Sequence, residues 1–397
     1  MTMNQDVAHG NRANAYVALT LATIAMIVCF MSWSNFAPLA AQVGKMFNLS
    51  VSERTLLLAT PVLLGSIMRI PVGILSDKYG GKKVYLILMA FILIPLFMIP
   101  RVHSFGMLIF AAFLVGMSGT SFAVGVSYAS VWFPKEQQGL ALGIVSMGNM
   151  GNAVASMTLP YISKSYGFTA VYNFLMVLTV VIGVIFALCC KEMPVDKTKT
   201  LKGALSVTKE SSTWYLSLFY FLTFGLFVAF TNLTPLFLTG LFNYSAVKAG
   251  LYAALFAFVC TIIRPVGGAM ADHMRPMALL QWVFVAIILF ALVIMFSFHV
   301  QAMFIAGIVL VGLAAGVGNG VVFKMVPYVS TGNTGAVTGF VGAMGGLGGF
   351  FPPLVIGWIH DWTGSYELGI GLLVLTGVIC WFALWKHFIK GDFHIVK

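Results

Sequence analysis

The sequence predicts an all-helical integral membrane protein of twelve transmembrane helices, arranged as two pseudo-symmetric halves of six. Three observations predict this class: the composition, twelve apolar stretches of spanning length, and motifs that recur about halfway along the chain. Of the 397 residues, 60% are hydrophobic and only 8% are charged, whereas soluble proteins carry about 25% charged residues. We therefore expect lipid rather than water to surround most of the chain.

Each apolar stretch can cross the bilayer as one helix, because a spanning helix needs about 20 predominantly apolar residues. The stretches are continuous rather than alternating, which argues against a transmembrane β-barrel. The 41 glycines are spread through the stretches, as expected where helices pack closely in lipid. In chain order the predicted spans are 15–37, 55–76, 83–100, 105–131, 139–163, 168–190, 214–240, 247–271, 277–298, 301–325, 333–358 and 366–390.

The basic residues predict the orientation of the chain in the cell membrane. With both termini in the cytoplasm, most Lys and Arg side chains lie on the cytoplasmic side, as the positive-inside rule requires. The net charge of +11 therefore follows topology rather than forming one patch, and nucleic-acid binding is not expected. The first span has no small-residue cleavage pattern behind it, so we expect no cleavable signal peptide. The basic residues in the opposite loops are Lys45, Arg54, Arg101, Lys164 and Lys248.

A polar, lysine-rich segment separates the first six spans from the last six. We expect an N-terminal half at 1–190, a cytoplasmic linker at 191–213 and a C-terminal half at 214–397. Parallel six-helix repeats, related by an axis along the membrane normal, occur in secondary transporters whose substrate binds near the bilayer midplane between the repeats. The sequence therefore predicts a binding site between the two halves.

Several motifs recur across the linker at offsets of 195–197 residues. Arg69 in span 2 and Arg264 in span 8 are each followed eight residues later by an aspartate. Spans 1 and 7 share an Asn-x-x-Pro-Leu motif that begins at Asn35 and Asn232. Spans 5 and 11 share glycine-rich segments, whose density implies close backbone approach and leaves room only for a small ligand. The glycines are Gly143, Gly148 and Gly151 in span 5 and Gly339, Gly345, Gly346 and Gly348 in span 11.

Arg69 and Arg264 predict an anionic ligand. A charge at membrane depth costs about 3 kcal/mol or more, so it usually faces a partner or a watery cavity. No acidic residue lies in the middle of a span, so the missing anion is expected to be the ligand. The planar donor fork of arginine suits a planar oxyanion. The alternative is that each arginine binds a helix carbonyl or snorkels to the surface, and charge alone leaves phosphate esters and dicarboxylates open.

The segment from Gly73 to Lys83, after span 2, closely resembles the cytoplasmic loop signature of the major facilitator superfamily, and the end of span 8 carries a degenerate copy. An aspartate at a helix end, beside cations, is suited to gate the cytoplasmic face. The resemblance implies the major facilitator fold. The gating residues that it indicates are Gly73, Asp77, Lys78, Gly80 and Asp272.

The two arginines together with the glycine-rich motifs of spans 5 and 11 resemble the nitrate/nitrite porter family of that superfamily, over essentially the whole chain. In that family the arginines clamp the anion, an asparagine of span 5 assists, and aromatic rings sandwich the anion's plane. Ser146 and Met147 depart from the family's glycines, so Asn152 is an alternative for the asparagine role. The resemblance implies substrate-binding roles for Arg69, Arg264, Asn149, Phe122, Tyr220 and Phe224.

The expected function is secondary active transport of nitrate, nitrite or both across the cytoplasmic membrane, in nitrate assimilation or respiration. Proton-coupled carriers usually carry an intramembrane carboxylate or histidine as a relay. The spans have none near their centres, which favours exchange of nitrate for nitrite. Proton-coupled nitrate import, and organic-anion exchange of the oxalate/formate type on the same fold, remain alternatives.

Other functional classes find little support in the sequence. The segment from Gly316 to Gly320 resembles a nucleotide-binding loop only superficially, because it lies inside an apolar span with no strand before it. The five cysteines lack metal-ligand spacing, and Ser/His/Asp clusters are absent. We expect no enzymatic activity, no metal and no cofactor. The expected partners are a small inorganic anion and the lipid bilayer, with a functional monomer.

Overall fold

The computed structural model describes residues 12–133, 135–192, 203, 205–329 and 334–389. Regular structure in this part of the chain is entirely helical, which confirms the predicted class. Residues 193–202 and 204 of the predicted linker lie outside the described residues, as do the two chain termini. The division at 191–213 therefore stays a prediction.

Ten α-helices of the described chain precede the linker, and they form the first set. They are α1 (Arg12–Trp33), α2 (Ala40–Met46), α3 (Val51–Ile67), α4 (Arg69–Tyr79), α5 (Gly81–Met98), α6 (Phe105–Val115), α7 (Ser121–Ser130), α8 (Lys135–Ser146), α9 (Gly151–Tyr166) and α10 (Phe168–Cys189).

Seven α-helices follow among the described residues and form the second set. They are α11 (Ser211–Leu241), α12 (Ala246–His273), α13 (Pro276–Met295), α14 (Gln301–Val329), α15 (Thr334–Leu347), α16 (Phe351–Thr363) and α17 (Glu367–Leu384).

Within the described residues, each of the twelve predicted spans falls on helices, but the spans are not all continuous. Ten helical segments of the described chain are long and apolar enough to cross a membrane, and the bent pair α3–α4 makes eleven. The remaining predicted span, 139–163, consists of α8 and α9, which have 12 and 16 residues. A 3₁₀ turn at Met147–Met150 separates them, so neither helix alone has spanning length.

The predicted continuous span 55–76 is also wrong in detail, since α3 and α4 meet at a 41° bend. Pro71 explains the bend, because a proline lacks the amide hydrogen and its ring clashes with the carbonyl four residues earlier. That carbonyl belongs to Ile67, the last residue of α3. Arg69 therefore begins a new helix at the bend instead of lying within a straight span.

The two sets of helices meet along α3 and α4 against α15 and α16, and along α9 against α12. At one end of the bundle this contact is very close. A Cβ atom added at Gly357 would lie 2.0 Å from the Thr55 hydroxyl oxygen, and one at Gly250 would lie 2.1 Å from the Ser156 carbonyl oxygen. Glycine thus lets helices of opposite sets approach each other closely.

Candidate functional site

Arg69 lies between the two sets of helices and is bound to both. Its side chain is only 2% exposed. Nε donates a hydrogen bond to the Gly119 carbonyl at 3.3 Å, and Nη1 donates to the Gly342 carbonyl at 2.8 Å. Among the described residues, Nη2 has no hydrogen-bond partner. Carbonyl binding, the alternative considered for the arginines, therefore occupies part of this guanidinium and leaves one donor nitrogen for another acceptor.

Three aromatic rings surround the same guanidinium. Its central carbon lies 5.8 Å from the ring centroid of Trp33, and 5.3 Å from the centroids of both Phe122 and Phe224. A cation within about 6 Å of a ring centroid is attracted by the ring's negative face, and this attraction reaches about 2 kcal/mol where water is excluded. The rings thus stabilise a buried cation without neutralising it.

Arg264, in α12, lies on the other side of this aromatic cluster. Its Nη2 donates a hydrogen bond to the Tyr220 hydroxyl oxygen at 3.1 Å. Its guanidinium carbon lies 5.8 Å from the centroid of Phe224 and 5.9 Å from that of Phe323. Phe224 therefore contacts the guanidinium groups of both arginines, which brings the two predicted cations to one site.

The rings of the site hold one another in fixed orientations. Tyr220 and Phe224, one turn apart in α11, stack with centroids 5.0 Å apart and planes within 13°. Phe323 makes T-shaped contacts with Tyr220 and Phe122, with ring centroids 4.8 Å and 6.4 Å apart. Such pairs contribute about 0.5–1.5 kcal/mol beyond area burial. The predicted aromatic residues therefore form one packed wall between the arginines.

The site carries an uncompensated positive charge. Among the described residues, no carboxylate forms an ion pair with either arginine. The oxygens that they contact belong to two backbone carbonyls and a phenol. Dipoles of this kind orient a guanidinium but leave its charge in place. An oxyanion would gain both charge attraction and directed hydrogen bonds here.

Asn149 lies in the 3₁₀ turn Met147–Met150, which packs against α1 and α12. It is fully buried, and neither atom of its amide has a hydrogen-bond partner among the described residues. No hydrogen bond within this part of the chain joins it to an arginine. Asn152, the alternative, is the second residue of the next helix, α9, and its Oδ1 also lacks a partner among the described residues. Their predicted roles stay predictions.

The glycines of the two motifs differ in what they contact. Added Cβ atoms at Gly143 and Gly339 would meet nothing within 4 Å. One at Gly345 would lie 2.1 Å from the Tyr220 ring, and one at Gly346 would lie 2.2 Å from Ser66 Oγ and 3.4 Å from Arg69 Nη1. The inner glycines of span 11 therefore allow its backbone to reach the site. An added Cβ atom would also lie within 2.4 Å of a neighbour at the other three glycines: of Phe221 at Gly348, of Met26 at Gly148 and of Ile27 at Gly151.

All the predicted gating residues except Gly73, which lies within α4, are at helix ends. Asp77 accepts a hydrogen bond from the Ser127 hydroxyl in α7, and Asp272 forms an ion pair with Lys324 in α14. Gly80 has a φ of +102°, which favours glycine over residues with a Cβ. Gly73 lies close to Ala123, with 3.5 Å between an added Cβ and that side chain, and Lys78 Nζ lies 5.5 Å from the centroid of its neighbour Tyr79.

Sequence reasoning missed several residues of the site and of the helix ends. Trp33 and Phe323 complete the aromatic wall, and Asn319 lies one turn before Phe323. A search for the repeat could have found Ser127 and Lys324, the partners of the two gating aspartates, because they are 197 residues apart. The same offset separates Asn35 from Asn232. The carbonyls of Gly119 and Gly342 carry no side-chain pattern and could not have been found.

Comparison with known proteins gives the family. The family model described as Major Facilitator Superfamily matches residues 22–353. A probable nitrate transporter NarT of Staphylococcus epidermidis is 37% identical, over 91% of this chain and 93% of its own. The nitrite extrusion protein of Bacillus subtilis is 36% identical, over 89% and 90%.

Solved structures show the same fold at low sequence identity. The crystal structure of a bacterial homologue of the human lysosomal transporter Spinster, inward-facing and occupied, superposes with a TM-score of 0.76 at 17% identity. The match covers 96% of this chain and 99% of that one. The chain therefore belongs to the major facilitator superfamily and, within it, to the nitrate/nitrite porters.

Proposed function

We propose that this protein is a secondary active transporter that carries nitrate and nitrite across the cytoplasmic membrane by alternating access. The anion binds between Arg69 and Arg264. The observation that carries this proposal is the pair of arginines around one ring, Phe224, with no carboxylate partner among the described residues. The relatives described as nitrate transporter and nitrite extrusion protein support the choice of substrate.

The lining of the site favours a small, planar, weakly hydrated anion. The face of an aromatic ring gives an anion no hydrogen bond to replace those that it made with water. The lining therefore suits an ion that is weakly hydrated. Gly345 and Gly346 bring backbone to within a few ångströms of Tyr220 and Arg69, which limits the volume. Nitrate and nitrite satisfy these conditions better than phosphate esters, which are bulky and strongly hydrated.

Exchange of nitrate for nitrite is the coupling mode that we propose. The acidic side chains nearest to the site in sequence, Asp77 and Asp272, are bound at helix ends, about two helical turns from the arginines. Among the described residues, the site then has no carboxylate to neutralise its charge when the anion leaves. An empty site that holds one buried and one half-buried cation is costly to reorient, so each half-cycle needs an anion.

Uptake by the purified protein in liposomes tests both substrate and coupling. Vesicles are loaded with nitrite or left empty, and nitrate uptake is followed with and without a pH gradient. Uptake that needs internal nitrite and ignores the gradient is expected. Uptake into empty vesicles driven by the pH gradient would establish proton symport instead. Exchange of oxalate or formate without nitrate uptake would overturn the substrate.

Arginine-to-lysine variants test the anion clamp. Arg69→Lys and Arg264→Lys are each expected to abolish nitrate transport, because an ammonium group cannot reproduce the planar fork of donors. Arg101→Lys is the matched control, since Arg101 is exposed at a helix end and binds the Phe97 carbonyl. Near-normal uptake by either site variant would rule out the clamp.

We also propose that both termini are cytoplasmic and that one chain suffices for transport. Residues of both helix sets contribute to the site: Arg69 and Phe122 from the first, Arg264 and Tyr220 from the second. A single chain therefore contains the whole site. Labelling of single cysteines introduced at each terminus tests the orientation, and uptake by protein reconstituted at one chain per vesicle tests the monomer.

A further inference from the structure

Asn319 is a buried polar residue to which neither the sequence motifs nor the clamp assigns a role. It lies within α14, a helix of 29 residues, and is fully buried. Among the described residues, neither Nδ2 nor Oδ1 has a hydrogen-bond partner. A buried amide in this condition costs free energy unless some other group supplies the hydrogen bond.

The neighbours of Asn319 fix its position beside the anion site. Phe323 lies one turn later on the same helix face, and its ring packs edge-on against Tyr220 at 4.8 Å and lies 5.9 Å from the Arg264 guanidinium carbon. On the next residue, Gly320, an added Cβ would lie 2.2 Å from the Arg264 carbonyl oxygen. The backbone of α14 therefore touches the helix turn that carries Arg264.

The preceding residue makes the matching contact with α11. An added Cβ at Gly318 would lie 2.7 Å from the Thr223 side chain, and Thr223 lies between Tyr220 and Phe224 in sequence. Asn319 thus follows a residue that packs on α11 and precedes one that packs on α12. Its side chain leaves the helix between these two contacts, on the face shared with Phe323.

We propose that Asn319 is a further substrate ligand, whose Nδ2 donates a hydrogen bond to one oxygen of the bound anion. This inference rests on the proposed function. The amide adds a directed donor without adding charge, and it approaches from α14, whereas the arginines approach from α4 and α12. Nitrate has three oxygens and nitrite has two. Three donor side chains that approach from three helices can each bind a separate oxygen of nitrate but not of nitrite. The amide of Asn319 therefore favours nitrate over nitrite.

The experiment measures nitrate and nitrite affinity of the purified full chain by calorimetry, for the natural protein and for Asn319→Leu and Asn319→Ser. A hydrogen bond to an ion, once removed, is expected to raise the nitrate dissociation constant about 10- to 100-fold in the leucine variant. The nitrite dissociation constant should rise by less, so the preference for nitrate falls. Serine keeps one donor and should give an intermediate loss.

A packing role predicts a different result. Asn232→Leu is the matched control, because Asn232 is a buried asparagine of α11 two turns beyond Phe224, and its variant should leave the nitrate-to-nitrite preference unchanged. Unchanged affinities in the Asn319 variants, or equal losses for both anions with a lowered melting temperature, would overturn the proposal. Natural protein that binds neither anion would instead refute the proposed function, before any variant is compared.

Discussion

Replacement of Gly345 by alanine is expected to damage the anion site by a steric route that leaves every charged group in place. The added methyl carbon would lie 2.1 Å from Cδ1 of Tyr220, where ordinary contact begins at 3.4 Å. The ring or the helix must therefore move by about 1.3 Å. Tyr220 cannot move freely, because it stacks on Phe224 and binds Arg264.

The magnitude follows from the cost of overpacking. An extra methyl group in a well-packed interior typically costs about 1–3 kcal/mol. If the cost falls mainly on the binding geometry, nitrate affinity should drop about 5- to 150-fold, since 1.4 kcal/mol corresponds to a factor of ten. The hydrogen bond between Arg264 and Tyr220, at 3.1 Å, is the contact most directly strained by a displaced ring.

Nitrate binding by purified Gly345→Ala protein, measured by calorimetry, checks this prediction. Gly240→Ala serves as the control, because it lies in α11 like Tyr220 and an added Cβ there would meet nothing within 4 Å. The control is expected to keep its affinity, with unfolding stability equal or raised by up to about 1 kcal/mol. Equal nitrate affinity in both variants would show that Tyr220 is not confined by α15 in the binding state.

Three further predictions concern the helix ends. Asp77→Asn is expected to lower the maximal rate of nitrate uptake more than the nitrate affinity, because Asp77 binds Ser127 away from the arginines; a lost affinity at unchanged maximal rate would contradict a gating role. A double-mutant cycle on Asp272 and Lys324 should give a coupling free energy of about 1 kcal/mol or less, because both side chains are over a third exposed and exposed ion pairs contribute little to stability. A larger value would mean that the pair is buried for much of the transport cycle. Glu192→Gln should lower the free energy of unfolding by about 1 kcal/mol, because the carboxylate of Glu192 accepts hydrogen bonds from two backbone amides in the first turn of α5. The melting temperature measures this loss, and an unchanged value would show that the cap contributes nothing to stability.

The sequence predicts the helical class and the principal charged residues because both leave strong local patterns. Apolar stretches of spanning length are visible without tertiary information, and Arg69 and Arg264 stand out as charges inside them. Their equivalent positions in the repeat predict that they lie near one site, and in the structure both guanidinium groups lie within 6 Å of the Phe224 ring centroid.

Helix interruptions were predicted less well, because they depend on backbone geometry. Pro71 was visible in the sequence, yet a proline inside a span can be absorbed without a break, as Pro265 is in α12. The 3₁₀ turn at Met147–Met150 follows no proline, and small residues alone do not distinguish a break from close packing. Its position decides where Asn149 points, which explains why the asparagine role could not be settled between Asn149 and Asn152.

The repeat also conceals a difference between the two arginines. Arg69 is almost fully buried and donates to a carbonyl of each helix set, whereas Arg264 is half-buried and donates to a phenol of its own set. Only tertiary packing creates this asymmetry, because the acceptors of Arg69 are backbone atoms of Gly119 and Gly342. The asymmetry bears on coupling.

The hydrogen bond from Arg69 to Gly342 joins the two sets of helices at the centre of the site, at 2.8 Å. In alternating access the sets move against each other, so this bond must be broken or displaced in every cycle. A buried guanidinium that loses an acceptor incurs a large desolvation cost. A bound oxyanion accepts hydrogen bonds from the same fork of donors and so lowers that cost. This is the energetic argument for the obligatory exchange that we propose, because the movement is then easier with an anion than without one in both directions.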